Sequence, residues 1–81
     1  MRVTVRLFAR LREIAGAETL VRELPPGTTA GGLWEDLARE FPDLAAYRDA
    51  VSTAVNEEYA RRDAALAEGD EIAFLPPVSG G

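Results

Sequence analysis

Residues 2–9 alternate in polarity. Val3, Val5 and Leu7 fall on one side of an extended chain, and Thr4, Arg6 and Phe8 on the other. A period of two means a strand with one buried face. The period returns near the other end, where Ile72 and Phe74 share one face and Ala73 and Leu75 the other. Between these runs Leu33, Leu37 and Phe41 recur at i, i+4 and i+8, a helical stripe that Trp34 and Ala38 widen. Two one-sided strands far apart in the chain, with one amphipathic helix between them, can hide their apolar sides only against each other. The expected architecture is therefore α+β: a roll in which a mixed sheet carries one main helix packed on one face.

The remaining elements fit between these three. Leu11, Ile14 and Ala15 stand at helical spacing with Gly16 as a stop, which predicts a short helical turn. Residues 18–24 alternate again, Leu20 and Leu24 bracketing Arg22, and form a second strand antiparallel to the first. Pro25-Pro26-Gly27 is a turn, and Thr28 or Thr29 caps the main helix. Gly31 and Gly32 are poor helix formers and predict a frayed start. Pro42 ends the helix. Residues 43–50 connect to a third strand over 51–56, with Val51 and Val55 of equal parity; a turn at 56–58 leads into a short edge strand at Tyr59. The expected core is Val3, Val5, Leu7, Leu20, Leu24, Leu33, Leu37, Phe41, Val51, Val55, Leu66, Ile72 and Phe74.

Composition narrows the chemistry. The 81 residues make one small domain, read as 1–75, followed by a tail, 76–81. Cysteine and histidine are absent, which removes disulfides, thiolate or imidazole metal sites and Cys- or His-based catalysis. No spacing suggests an oxygen-ligated metal either, so none is expected. All nine basic residues are arginine, leaving no lysine for Schiff-base chemistry. These side chains give no expectation of autonomous catalysis. A net charge of −5 argues against nucleic acid and suits a partner with a basic surface. No apolar run approaches about 18 residues, so no membrane association is expected. The alternating start is unlike a signal peptide, and the cytoplasm is the expected location.

Two features remain. Phe8 and Leu75 have the wrong parity for the core and, if the first and last strands are neighbours, meet on the open face of the sheet, with Tyr59 on an edge strand; such a cluster marks a protein-binding surface. Then comes Pro76-Pro77-Val78-Ser79-Gly80-Gly81. Extended, it reaches roughly 20 Å at about 3.3 Å per residue. The prolines stiffen its base. Two residues without side chains suit threading into a narrow slot, and the α-carboxylate of Gly81 is the reactive group such an end presents. Coupled to AMP, it becomes an acyl adenylate; a sulfur nucleophile then displaces AMP and leaves a thiocarboxylate. Adjacent carboxylates (Glu35/Asp36, Glu57/Glu58, Asp70/Glu71) and the arginines Arg10, Arg12, Arg61 and Arg62 read as solvated surface.

"EGDEIAFLPPVSGG" at the end, "AVN" at 54–56 and "LFARLREIAG" near the start resemble the small, sulfur-carrying subunits of molybdopterin synthase, the MoaD family. The resemblance spans essentially the whole chain and is most specific in the last fourteen residues. It implies a β-grasp, ubiquitin-like fold. It implies adenylation of Gly81 by an ATP-dependent activating enzyme, with no cofactor held permanently, followed by thiocarboxylation. The tail (Pro76, Pro77, Val78, Ser79, then Gly80 and Gly81) would enter a pocket of the large synthase subunit. There sulfur would pass to cyclic pyranopterin monophosphate, making the chain the sulfur-donating subunit of a heterotetramer with two of each chain. Phe8, Tyr59 and Leu75 match the family's apolar docking face, with Tyr59 standing where an aliphatic residue is expected. The end also fits carriers for thiamine or tRNA thiolation, protein modifiers joined through Gly81, and a plain interaction module.

Overall fold

The computed structural model describes residues 1–77; the expectations placed on Val78, Ser79, Gly80 and Gly81 lie outside the described residues. The order is β1 (Arg2–Leu7), α1 (Ala9–Ala15), β2 (Thr19–Glu23), α2 (Ala30–Glu40), a 3-10 helix (Pro42–Tyr47), β3 (Ser52–Val55), β4 (Glu58–Tyr59) and β5 (Glu71–Leu75). The five strands form one mixed sheet in the order β2-β1-β5-β3-β4. The first and last strands are parallel neighbours at its centre, with Leu7 opposite Phe74. β2 flanks β1, and β3 flanks β5, both antiparallel.

Alternation sets the two faces. Val3, Val5 and Leu7 of β1, Thr53 of β3, and Ile72 and Phe74 of β5 are buried on one side. Onto them α2 lays Leu33, Trp34 and Leu37, and the Trp34 and Phe74 rings meet at 5.1 Å between centroids, tilted by 59°. Leu11 of α1 and Leu44 of the 3-10 helix are fully buried and complete the core with Ala30. Leu20, Phe41 and Val55, expected inside, are only partly buried against it. Leu20 lies on the outer strand β2, Val55 ends β3, and Phe41 is the residue where α2 gives way to the 3-10 helix.

Local chemistry explains the boundaries. β1 stops at Leu7, two residues short of the expected end, because Ala9 turns into the left-handed region at φ 52°. Gly16 closes α1 at φ 73° and donates its N–H to the Arg12 carbonyl at 2.9 Å. Of the two candidate caps, Thr29 starts α2: its hydroxyl accepts from the Gly32 N–H at 3.1 Å.

The start of α2 is not frayed. The strap formed by residues 62–66 lies across it, accepting the Ala30 N–H at the Ala64 carbonyl (3.0 Å) and the Gly31 N–H at the Arg62 carbonyl (2.7 Å). Gly31 supplies the close approach: a Cβ there would stand 3.1 Å from the Arg62 carbonyl oxygen. Helix propensity alone made this glycine look like a weakness.

Candidate functional site: the open sheet face

The side of the sheet turned away from α2 has no element packed on it among the described residues. Register sets its composition. Thr19, Arg6, Ala73, Ala54 and Tyr59 follow one another across β2, β1, β5, β3 and β4. One step along, Leu75 stands opposite Ser52, and Phe8 follows Leu7 where Leu75 follows Phe74. The wrong-parity residues of the first and last strands are thus brought to adjoining positions. On the other side of the row Val21, Thr4 and Glu71 follow one another.

This face is a shallow floor with walls. Ala73 and Ala54 are small, so the surface dips between Arg6 and Tyr59. Tyr59 is 84% exposed and Val21 53%, the two large apolar side chains most open to water among the described residues. Phe8 and Leu75 are half-buried, each with an apolar surface left uncovered. Exposed aromatic and aliphatic groups beside a small-residue floor are a protein-binding composition. Pro76 and Pro77 continue directly from Leu75, so the path of the tail begins at the edge of this surface.

A polar knot aims the edge strand that carries Tyr59. Asn56 and Glu57 form the two-residue turn between β3 and β4, at φ 51° and 70°. A loop with both residues left-handed matches the right-handed strand twist, and asparagine tolerates that region better than most. The Asn56 amide donates to Asp70 Oδ1 at 2.9 Å, while its Oδ1 accepts the Glu71 N–H at 3.0 Å. Asp70 Oδ2 in turn accepts the Ala67 N–H at 2.8 Å. The hairpin is therefore tied to the start of β5. Sequence reasoning used Asn56 only as part of a motif; its pairing with residues 70 and 71 crosses a long stretch of chain and has no local signal.

The paired carboxylates have ordinary structural work. Glu35 meets Arg48 at 2.7 Å, Asp36 pairs with Arg39, and Asp70 belongs to the knot. Arg10 donates to Glu13 at 3.2 Å, and this hydrogen bond raises its guanidinium above the ordinary arginine range, which leaves it a fixed charge. Among the described residues no cluster of three or more acidic side chains is placed to hold a metal ion, and no helix is long and apolar enough to cross a membrane. A depression of about 260 Å³ lined by Ile14, Glu40, Phe41, Pro42 and Asp43 lies among the helices. None of its lining residues belongs to the open face.

A family model described as the ThiS family matches residues 5–81. The chain belongs to the ThiS family. This ThiS-family chain is 40% identical over 79 residues to the molybdopterin synthase sulfur carrier subunit of Arabidopsis thaliana, covering 98% of the chain and 82% of the relative. Among solved structures, SAMP1 from Haloferax volcanii matches it with a TM-score of 0.85 at 32% identity, over 100% of both chains. A chain in the complex of subunits 1 and 2 of molybdopterin-converting factor from Helicobacter pylori matches with a TM-score of 0.70 at 26% identity, again over 100% of both. The fold is the ubiquitin-like β-grasp, a five-stranded mixed sheet holding a helix.

Proposed function

We propose that this ThiS-family protein is the sulfur carrier subunit of a molybdopterin synthase. The observation that carries the reading is the match, over 98% of the chain, to a protein of that name at 40% identity. The chemistry follows from the Gly81 carboxylate, a poor electrophile as it stands. A carboxylate oxygen attacks the α-phosphorus of ATP on an activating enzyme and pyrophosphate leaves. A sulfur nucleophile then attacks the acyl carbon, the bond to AMP breaks, and the released product is a thiocarboxylate. In the synthase, that sulfur attacks a side-chain carbon of the pterin precursor. A C–S bond forms as a C–O bond to that carbon breaks and the oxygen group leaves. Water then cleaves the acyl–sulfur bond, restoring the carboxylate and leaving the sulfur on the pterin. The catalytic side chains belong to the partner, in keeping with a chain lacking cysteine, histidine and lysine.

In this reading the open face supplies the affinity and the tail supplies the chemistry. Ordering each tail residue costs about 1–2 kcal/mol. Phe8, Leu75 and Tyr59 are positioned to offset that cost by burial on the large subunit. Support for such a partner comes from the Helicobacter pylori complex, in which two subunits are bound together. A two-plus-two assembly and a cytoplasmic setting complete the proposal.

A second reading has its own observation. Haloferax volcanii SAMP1, whose fold this chain matches closely, is named a small archaeal modifier protein. Conjugation through Gly81 to amines of other proteins would use the same adenylate.

One experiment separates the two. The full chain is incubated with activating enzyme, ATP and a sulfur source, then treated with a thiol alkylator and measured as an intact mass. With no cysteine to react, a tag that maps to the C-terminal peptide sits on a thiocarboxylate. Transfer of the label-reactive sulfur to a pterin acceptor with large subunit present supports the synthase. Isopeptide adducts without thiocarboxylate support the modifier. An untagged chain beside a second carrier that is tagged in the same mixture overturns the sulfur-carrier reading.

A further inference from the structure

Arg6 stands in the middle of the open face, between Thr19 on β2 and Ala73 on β5. Its guanidinium carbon lies 5.3 Å from the centre of the Phe8 ring. That distance places the charged group over the ring within cation–π range. Two carboxylates offset its charge: Glu18 at 3.6 Å and Glu71 at 3.8 Å. Both contacts are too long to be hydrogen bonds. Arg22 is different, donating to both oxygens of Glu40 at 3.0 and 2.8 Å. A guanidinium carries five N–H donors, and among the described residues Arg6 directs none of them into a hydrogen bond shorter than these contacts. The side chain is only 38% exposed.

Arg6 therefore has its charge balanced and its donors unspent. In the free chain, water serves those donors. A partner that covers Phe8 and Leu75 removes the water, and donors buried without acceptors are costly. The partner must bring acceptor oxygens. A carboxylate is a poor choice, because Glu18 and Glu71 already flank the group and the chain carries a net charge of −5. An uncharged carbonyl meets no such repulsion.

We propose that Arg6 is a specificity-determining docking residue whose guanidinium, aligned on Phe8, donates to uncharged carbonyl oxygens of the protein that covers the open sheet face. The proposal rests on the reading of that face as the docking surface for the large synthase subunit.

The test is calorimetric titration of the full chain into the large subunit over a series of salt concentrations. Arg6→Met keeps the apolar stem and removes the donors and charge. Its expected Kd is about 10-fold weaker than wild type, with an unchanged slope of log Kd against log salt. Arg6→Lys keeps the charge without the planar fork and should recover less than half of the lost affinity on a logarithmic scale. Leu75→Glu serves the separate question of where the partner docks. If wild type and Leu75→Glu bind alike, the docking reading fails. If Leu75→Glu loses binding while Arg6→Met keeps wild-type Kd, docking stands and the role of Arg6 is refuted. A flattened salt slope for Arg6→Met, or full recovery by Arg6→Lys, means that the partner offers an acidic group and overturns the neutral-acceptor assignment. Unfolding curves for each variant establish that a folded chain was titrated.

Discussion

Alanine substitution at Gly31 and at Gly32 should move stability in opposite directions, although the two glycines are adjacent in the first turn of one helix. On propensity alone each change stabilises by about 0.8–1 kcal/mol. At Gly32 the new Cβ meets Thr29 Oγ1 at 3.4 Å and Thr28 Cγ2 at 3.6 Å, ordinary contacts that leave the Thr29 cap in place. Gly32→Ala should therefore gain about 0.5–1 kcal/mol. At Gly31 the Cβ meets the Arg62 carbonyl oxygen at 3.1 Å and Arg62 Cβ at 3.2 Å. That carbonyl cannot retreat freely. It accepts the Gly31 N–H at 2.7 Å, and the strap is pinned further along by Ala64 to Ala30, by the Thr29–Ala65 bridge and by the Leu66 N–H to the Thr28 carbonyl at 3.0 Å. Relieving the contact stretches a half-buried hydrogen bond, a loss of about 1–3 kcal/mol if a group is left unsatisfied. Set against the propensity gain, Gly31→Ala should come out about 1 kcal/mol destabilised. Urea unfolding followed by the fluorescence of Trp34, the single tryptophan and 1% exposed, reads both variants. With m near 1–3 kcal/mol/M, the midpoints should separate by about 1 M. Equal stabilisation by both alanines would refute the reasoning: the strap would then not be seated on α2.

Asn56→Ala removes the side chain that ties Asp70 and the Glu71 N–H to the β3–β4 turn, and puts an ordinary residue at φ 51°. It should cost about 1–3 kcal/mol in the same urea assay; a change under about 0.5 kcal/mol would mean that the knot does not hold the hairpin. Tyr59→Ala should leave stability within about 0.5 kcal/mol, because the ring is 84% exposed. Yet it should weaken large-subunit binding measurably in a titration, and unchanged binding would remove Tyr59 from the docking face.

Much of this molecule was legible from patterns of two and of about four residues. The parity of Val3, Val5 and Leu7, and of Ile72 and Phe74, named the buried face correctly because side-chain direction in a strand is a local property of the backbone. The same parity isolated Phe8 and Leu75. Gly16 and Thr29 acted as written, since caps are satisfied by groups within a few residues. Leu11 and Leu44 were left out of the expected core, because each sits on a short element whose burial depends on what packs over it. Phe41 was placed inside by its helical spacing, but the backbone leaves the helix at that residue, so the spacing no longer describes its direction.

The sequence by itself determined which side of each strand faces water and where the helices start and stop, and it supplies the Gly81 carboxylate on which the proposed function rests. Those are short-range consequences of side-chain size, polarity and backbone freedom. Only the tertiary structure decided that β1 and β5 lie side by side, and from this the rest of the site follows. It sets Phe8 beside Leu75, lays Arg6 over Phe8 between Glu18, just ahead of β2, and Glu71 of β5, and makes a floor of Ala73 and Ala54. The residues involved are separated by most of the chain length, so no local pattern can encode their meeting. The partnership is chosen when the whole sheet closes over one core.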